Sequence, residues 1–195
     1  NQYTFKPITV ILAKDLFVKY FPEKNAELKL ADYKEGDKAI PFEIAGETSG
    51  KELAGIKYEQ LLPYVKPEGK AFEVIVGDFV STEDGTGIVH IAPTFGADDF
   101  RVAKQNAVSA ILVKDEGGNE APLVDKRGRF VKEVVDFAGE FVKEEYLSKD
   151  EKEAARIKQG RDKYLSVDER ITIKLKRENK AFKVEKYEHN YPHCW

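Results

Sequence analysis

The sequence contains no methionine, one cysteine and one tryptophan among its 195 residues. Translation starts at methionine, so a chain that begins at Asn1 is expected to be a piece of a longer protein. Cys194 stands alone, and an intramolecular disulfide is therefore impossible. A lone cysteine is compatible with a reducing compartment, and we expect a cytoplasmic protein.

Long apolar runs are also missing. None approaches the roughly 20 residues of a membrane-spanning helix, and no signal peptide is recognisable. The 32 Lys+Arg and 35 Asp+Glu residues leave a net charge of −3, beside 42% hydrophobic residues. This balance argues against a disordered chain and against a strongly basic nucleic-acid binder. We expect a globular protein with no membrane partner, large enough to bury a core without disulfides.

The first part of the chain, residues 1–135, alternates short apolar runs with turns. Apolar stretches predict strands over 72–76 and 87–92, which we expect to pair through the turn-rich residues between them. A helix is predicted over 97–105 and a strand over 108–113. The predicted fold class is mainly β with helices (α+β), with residues 1–135 forming a closed or nearly closed β-barrel.

Residues 136–195 are more charged, and we expect them to form a helical, basic extension packed on the barrel within one domain, 1–195. The run from Ser166 to Glu169 is a capping box, which predicts the start of a helix. Basic residues are dense from Lys174 to Lys186. Such a stretch is more often a solvated face than a nucleic-acid contact.

The densest group of unusual residues runs from Asp84 to Asp99. Glycines at 85, 87 and 96 allow the backbone to approach a ligand closely, and a helix that begins near Gly96 directs free N–H groups back toward the preceding strand. Alternation along that strand places His90 where it can project into a pocket. The corner between strand and helix is therefore a candidate ligand site.

The same residues also have a purely structural interpretation. A single histidine in an apolar strand is more often a hydrogen-bonded structural residue than a catalyst, and Gly-Thr-Gly is more often a hairpin turn than a ligand loop. Asp98 and Asp99 stabilise a first helical turn without any further role. The residues by themselves leave both interpretations open.

Three segments of the sequence resemble the editing domain that is inserted into class I isoleucyl-tRNA synthetase. They are Gly50-Lys51-Glu52-Leu53-Ala54-Gly55-Ile56-Lys57-Tyr58, Gly85-Thr86-Gly87-Ile88-Val89-His90-Ile91-Ala92-Pro93-Thr94-Phe95-Gly96-Ala97-Asp98-Asp99 and Tyr191-Pro192-His193-Cys194-Trp195. The resemblance covers most of the chain. It favours the isoleucine branch over the valyl and leucyl relatives, which usually carry another residue at the position of His90 and a His-Asp pair at Phe95 and Gly96.

The resemblance implies a β-barrel-rich editing fold and an ester hydrolase. Its substrate is valine wrongly joined to the 3′-terminal adenosine of isoleucine tRNA, and valyl-adenylate is allowed as a second substrate. One methylene contributes only about 1–3 kcal/mol of discrimination, for which this synthetase is the standard example, so a second sieve is required. The implied partners are the 3′ end of that tRNA and the rest of the synthetase. ATP, Mg and Zn belong to the parent enzyme, and this fragment is expected to bind no cofactor.

The resemblance also assigns roles to residues. Asp99 and His90 form the catalytic pair: Asp99 grips the substrate's α-ammonium group, and His90 lines the pocket for the amino-acid side chain. Whether His90 or the substrate's own ribose hydroxyl activates the water is left open. The substrate-binding residues are Gly85, Thr86, Gly87, Pro93, Phe95 and Asp98, of which Phe95 is expected to stack on adenine.

Two departures from the family pattern affect these expectations. The family's threonine-rich strand, which precedes the barrel, is not found, so the alternative to an active module is an inactive fragment. Cys194 resembles the first half of a Cys-x-x-Cys metal knuckle, and we expect no bound zinc. Outside the family, the competing hypotheses are a non-catalytic RNA-binding barrel and an unrelated small-molecule hydrolase.

Overall fold

The computed structural model describes residues 1–83 and 85–185. Over these residues the chain is an α+β protein with four α-helices and one two-stranded antiparallel sheet. In chain order the elements are α1 (Phe17–Tyr20), α2 (Ala97–Gln105), β1 (Leu112–Lys114), β2 (Glu120–Pro122), α3 (Lys149–Gln159) and α4 (Val167–Arg177). None of the helices in this part of the chain has the length and apolar character required to cross a membrane. The segment at 191–195, with the half-knuckle at Cys194, lies outside the described residues.

Strands β1 and β2 form a hairpin in which Leu112 lies opposite Pro122. The carboxylate of Asp115 closes the turn by accepting the N–H groups of Gly117 at 2.9 Å and Asn119 at 2.8 Å. The hydrogen bond from the backbone N–H of Asn119 holds the pKa of Asp115 below its usual value. Gly118 completes the turn with a φ of +78°, which an L-residue adopts only with strain.

A second turn of the same design follows at Asp125. Its carboxylate accepts the N–H groups of Arg127 at 2.8 Å and Arg129 at 2.9 Å, and the Arg129 amide lowers the pKa of Asp125. Isolated bridges then join Val124 to Phe130 and Arg129 to Phe141. The residues from 112 to 142 therefore form successive antiparallel turns, with a regular ladder only at the first.

The hydrophobic core lies where this region meets α4. Its buried members are Val134, Phe137 and Val167, and the partly buried side chains packed against them are Tyr64, Leu123, Phe130, Val131 and Ile171. Ser166 and Glu169 cap the start of α4 reciprocally, so the predicted capping box is confirmed. This cap begins the helix at Val167 and thereby directs that side chain into the core. The division of the chain at residue 135 stays a prediction.

The predicted pairing of residues 72–76 with 87–92 is wrong. The N–H of Val74 donates to the carbonyl of Ile56 at 2.8 Å, and the N–H of Tyr58 donates to the carbonyl of Phe72 at 2.8 Å. Residues 87–92 form no regular strand. The predicted barrel is not confirmed, because a barrel needs a closed set of ladders and the described residues contain one two-stranded sheet.

Candidate functional site

The corner before α2 is built around Gly96, which is the residue that precedes the helix. The Oδ2 atom of Asp99 accepts the backbone N–H of Ala92 at 3.2 Å. A Cβ atom on Gly96 would lie 3.2 Å from that Oδ2 atom, so glycine leaves the room in which the carboxylate folds back. Asp99 therefore ties the first turn of α2 to the segment that leads into it.

Asp98 and Asp99 are adjacent but differ in their surroundings. The Asp98 carboxylate is 81% exposed and lies 3.3 Å from Nη2 of Arg101. Asp99 is half-buried, and no cationic side chain among the described residues forms an ion pair with it. Its contact with Ala92 uses Oδ2, and Oδ1 has no hydrogen-bond partner in the described part of the chain. Asp99 therefore presents a negative charge that no described side chain neutralises.

His90 is exposed, and within residues 1–83 and 85–185 it forms no hydrogen bond or ion pair. The expectation that strand alternation aims it into a pocket does not apply directly, because residues 87–92 do not form a strand ladder. The structural interpretation of a hydrogen-bonded histidine inside an apolar strand is equally unsupported. The role of His90 in the site stays a prediction.

The loop of Gly85, Thr86 and Gly87 is docked on the N-terminal part of the chain. The hydroxyl of Tyr20 donates to the carbonyl of Gly85 at 2.7 Å, and the N–H of Ala13 donates to the carbonyl of Thr86 at 2.8 Å. The Thr86 hydroxyl bonds to the backbone carbonyl of Ile88 at 3.1 Å and closes the loop on itself. These contacts hold the loop's backbone in place ahead of the corner.

Gly87→Ala is expected to destabilise this loop more than Gly85→Ala. Both glycines have positive φ, +75° and +66°, which costs an alanine about 1–2 kcal/mol. At position 87 the new Cβ would also lie 2.5 Å from Cβ of Ala13, whereas at 85 nothing lies within 4 Å. We therefore expect Gly87→Ala to lower the free energy of unfolding by about 1–3 kcal/mol more than Gly85→Ala does. Urea unfolding of both variants measures the difference. Equal losses would show that the contact with Ala13 is not tight.

A cavity of about 800 Å³ opens beside this corner. Its described lining residues are Pro93, Thr94, Phe95, Gly96, Ala97, Phe100, Ala103, Lys104, Val108, Ala110, Leu112 and Pro122. The cavity is open to solvent rather than enclosed, and its lining is mainly apolar. The cavity thus extends along one face of α2, from Ala97 to Lys104, to both strands of the hairpin.

The structure brings only some of the predicted site residues to this cavity. Pro93 and Phe95 line it, and the side chain of Phe95 is 64% exposed. Asp98, Asp99, His90 and the loop at 85–87 are not among its lining residues. Their meeting around one ligand stays a prediction.

Sequence reasoning missed other members of the lining. Phe100 and Lys104 are four residues apart on α2 and face the cavity together. Helical spacing shows that they share a face, but not what the face meets. Pro122 of β2 also lines the cavity, and no local sequence pattern predicts that β2 packs near α2.

The chain is similar over its full length to known proteins, although no family model matches it. It is 71% identical over 195 residues to isoleucine-tRNA ligase of Cytophaga hutchinsonii, covering all of this chain and 18% of that protein. The corresponding ligase of Bacteroides fragilis is 48% identical over 202 residues, with the same two shares. That of Thermoplasma acidophilum is 34% identical over 147 residues, covering 75% of this chain and 11% of the relative.

The chain thus spans about 18% of the length of the first two of these curated relatives. Identity at this level over all 195 residues is far beyond a likeness confined to short motifs. The resemblance noted in the sequence is confirmed at the level of the family. The chain belongs to the isoleucine-tRNA ligase family and corresponds to a segment of such a ligase.

Proposed function

We propose that this chain is the editing module of an isoleucine-tRNA ligase and hydrolyses the valyl ester of mischarged isoleucine tRNA. The observation that carries the proposal is the carboxylate of Asp99, half-buried at the glycine-framed corner without a cationic partner among the described residues. A substrate ammonium group is the kind of ligand that such a carboxylate binds. The β-barrel-rich fold, the cytoplasmic location and the hydrolysis of valyl-adenylate belong to the same proposal.

The reaction needs a water molecule held against an ester carbonyl. The water oxygen attacks the carbonyl carbon, the bond from that carbon to the ribose oxygen breaks, and the ribose oxygen takes up a proton as valine leaves. Asp99 would contribute by holding the α-ammonium group next to the reacting ester, which fixes the direction of the carbonyl. The N–H of Ala92 holds Oδ2 of Asp99 and leaves Oδ1 for the ammonium.

The remaining residues of the site would select the substrate. The exposed ring of Phe95 is available to stack on the terminal adenine, and the loop at 85–87 would flank the nucleotide. His90, exposed and without a described hydrogen bond, would border the space for the amino-acid side chain. A space that accepts valine and excludes the extra methylene of isoleucine acts as the second sieve.

His90→Ala is expected to relax this selection. Because the smaller side chain leaves room for one more methylene, the ratio of valyl-tRNA to isoleucyl-tRNA hydrolysis should fall about tenfold, within the range that one methylene contributes. The ratio is measured from the deacylation rates of both charged tRNAs. Val89→Ala, at a neighbouring side chain that is 52% exposed, serves as the control. An unchanged ratio in His90→Ala would show that His90 does not border the space for the amino-acid side chain.

Deacylation of valyl-tRNA, with tRNA binding measured in parallel, tests the function itself. Both measurements are made with the 195-residue chain and with a full-length ligase in which this segment replaces its counterpart. Hydrolysis of valyl-tRNA in preference to isoleucyl-tRNA supports the proposal, and hydrolysis in the full-length ligase alone means that the segment is inactive by itself. Binding without hydrolysis in both proteins would favour the RNA-binding barrel. Equal turnover of simple valyl esters without RNA would favour a small-molecule hydrolase.

A further inference from the structure

A second cleft, of about 260 Å³, lies between α4 and the loop that follows α3. Its described lining residues are Arg161, Arg170, Ile173, Lys174, Arg177 and Glu178. Four of these six side chains are cationic and one is anionic, in a chain whose net charge is −3. We propose that this cleft binds a phosphate group of an RNA backbone, where the identity of that RNA as isoleucine tRNA rests on the proposed function.

Two of the four cations are occupied by partners within the protein. Arg170 bonds to the carboxylate of Glu140, and its guanidinium lies 5.0 Å from the centre of the Phe137 ring. The Nζ atom of Lys174 lies 3.1 Å from the carboxylate of Glu178. These two side chains form the walls of the cleft and add little free charge.

The other two cations, Arg161 and Arg177, are exposed and have no ion pair among the described residues. The backbone of Arg161 is held in place, because its carbonyl accepts Nη1 of Arg156 at 2.8 Å. A guanidinium group presents its N–H donors as a fork that matches two phosphate oxygens. Two such groups at one cleft are therefore suited to a phosphodiester.

Arg177 by itself has an ordinary structural explanation. It stands in the last turn of α4, where a cation interacts favourably with the helix dipole. Arg161 lies outside that helix, after the left-handed Gly160 that ends α3, and the dipole of α4 does not explain its presence at the same cleft. The convergence of cations from two elements is what carries the proposal.

The test compares two double variants with equal loss of charge. Arg161→Gln with Arg177→Gln removes the two free cations of the cleft. Lys158→Gln with Lys163→Gln removes two exposed lysines that have no described ion pair and do not line the cleft. The probe is an unacylated isoleucine tRNA transcript, with its dissociation constant measured between about 50 and 200 mM salt. Circular dichroism checks that both variants are folded.

We expect the arginine variant to bind the transcript about tenfold more weakly and to lower the slope of log K against log salt by about two. The lysine variant should keep the affinity and the slope of the unsubstituted chain. Equal behaviour of the two variants, or no binding by the unsubstituted chain, would overturn the proposal. Because no hydrolysis is measured, failure of the editing activity would not affect this result.

Inorganic phosphate at matched ionic strength is the second probe, since a free ion and an RNA backbone share the same chemistry. Phosphate that competes with the transcript only at concentrations where other anions also compete supports a backbone contact. Saturable phosphate binding that depends on Arg161 and Arg177, while the transcript binds the arginine variant normally, would identify a free-phosphate site and overturn the RNA assignment.

Discussion

Asp99→Asn is expected to lower kcat/KM for deacylation of valyl-tRNA about 100-fold. The amide side chain keeps an oxygen that can accept the N–H of Ala92, so the hydrogen bond at the corner is preserved. What is lost is the negative charge offered to the substrate's ammonium group. A hydrogen bond to a charged group contributes about 1.5–3 kcal/mol, which corresponds to a loss of roughly 10- to 150-fold in rate.

Asp98→Asn is the matched control for this prediction. It removes one negative charge from the same helical turn, and therefore weakens the interaction with the helix dipole by a similar amount. Asp98 is also a predicted substrate-binding residue, but its carboxylate is 81% exposed and pairs with Arg101, so we expect a smaller loss of activity than in Asp99→Asn. Asp99→Ala also removes the acceptor for the Ala92 N–H and is expected to abolish deacylation. Full activity in Asp99→Asn would remove the ammonium-binding role.

Phe137→Ala is expected to lower the free energy of unfolding by about 3–5 kcal/mol. The side chain is only 5% exposed, and its ring contacts the rings of Phe130 and Tyr64 at centroid distances of 6.0 and 6.5 Å. Truncation therefore removes apolar burial and leaves a cavity in the core. Since domains are commonly stable by about 5–15 kcal/mol, this one change would remove a large part of the total.

Val135→Ala is the control for the core prediction. Val135 is two residues from Phe137 and 71% exposed, so its truncation removes almost no buried area and should change stability by less than about 0.5 kcal/mol. Both variants are measured by urea unfolding followed by fluorescence. A loss below about 1 kcal/mol for Phe137→Ala would mean that the core around it is loosely packed.

Helices were the elements most fully predictable from the sequence. The predicted range 97–105 is confirmed as α2, and the Ser166–Glu169 capping box is confirmed at the start of α4. Helix signals are local, because both caps and side-chain spacing act within three or four residues along the chain. The pairing of 72–76 could not be predicted in the same way, because residues 56–58 and 87–92 lie at similar separations along the chain and tertiary packing decides between them.

In the candidate site, too, local features were predictable and contacts between separate segments were not. The composition of the run from Gly85 to Asp99 predicts a candidate site at the corner, and the contact with Ala13 explains why position 87 requires glycine. The i,i+3 spacing on α2 favours the ion pair of Asp98 with Arg101, but no spacing rule reveals that Asp99 folds back onto Ala92. The contribution of Pro122 in β2 to the cavity wall could not be predicted either, because it depends on where the hairpin packs.

By itself the sequence determined the family of this chain, the capped start of α4 and the position of its glycine-framed corner, because each depends on residue identity or on contacts between near neighbours. Only the tertiary structure decided that Asp99 folds back onto Ala92 with no cationic partner among the described residues, and that Arg161 and Arg177 line one cleft. Neither outcome follows from spacing within one helix, because each joins a helix to a segment outside it and depends on how the two pack together.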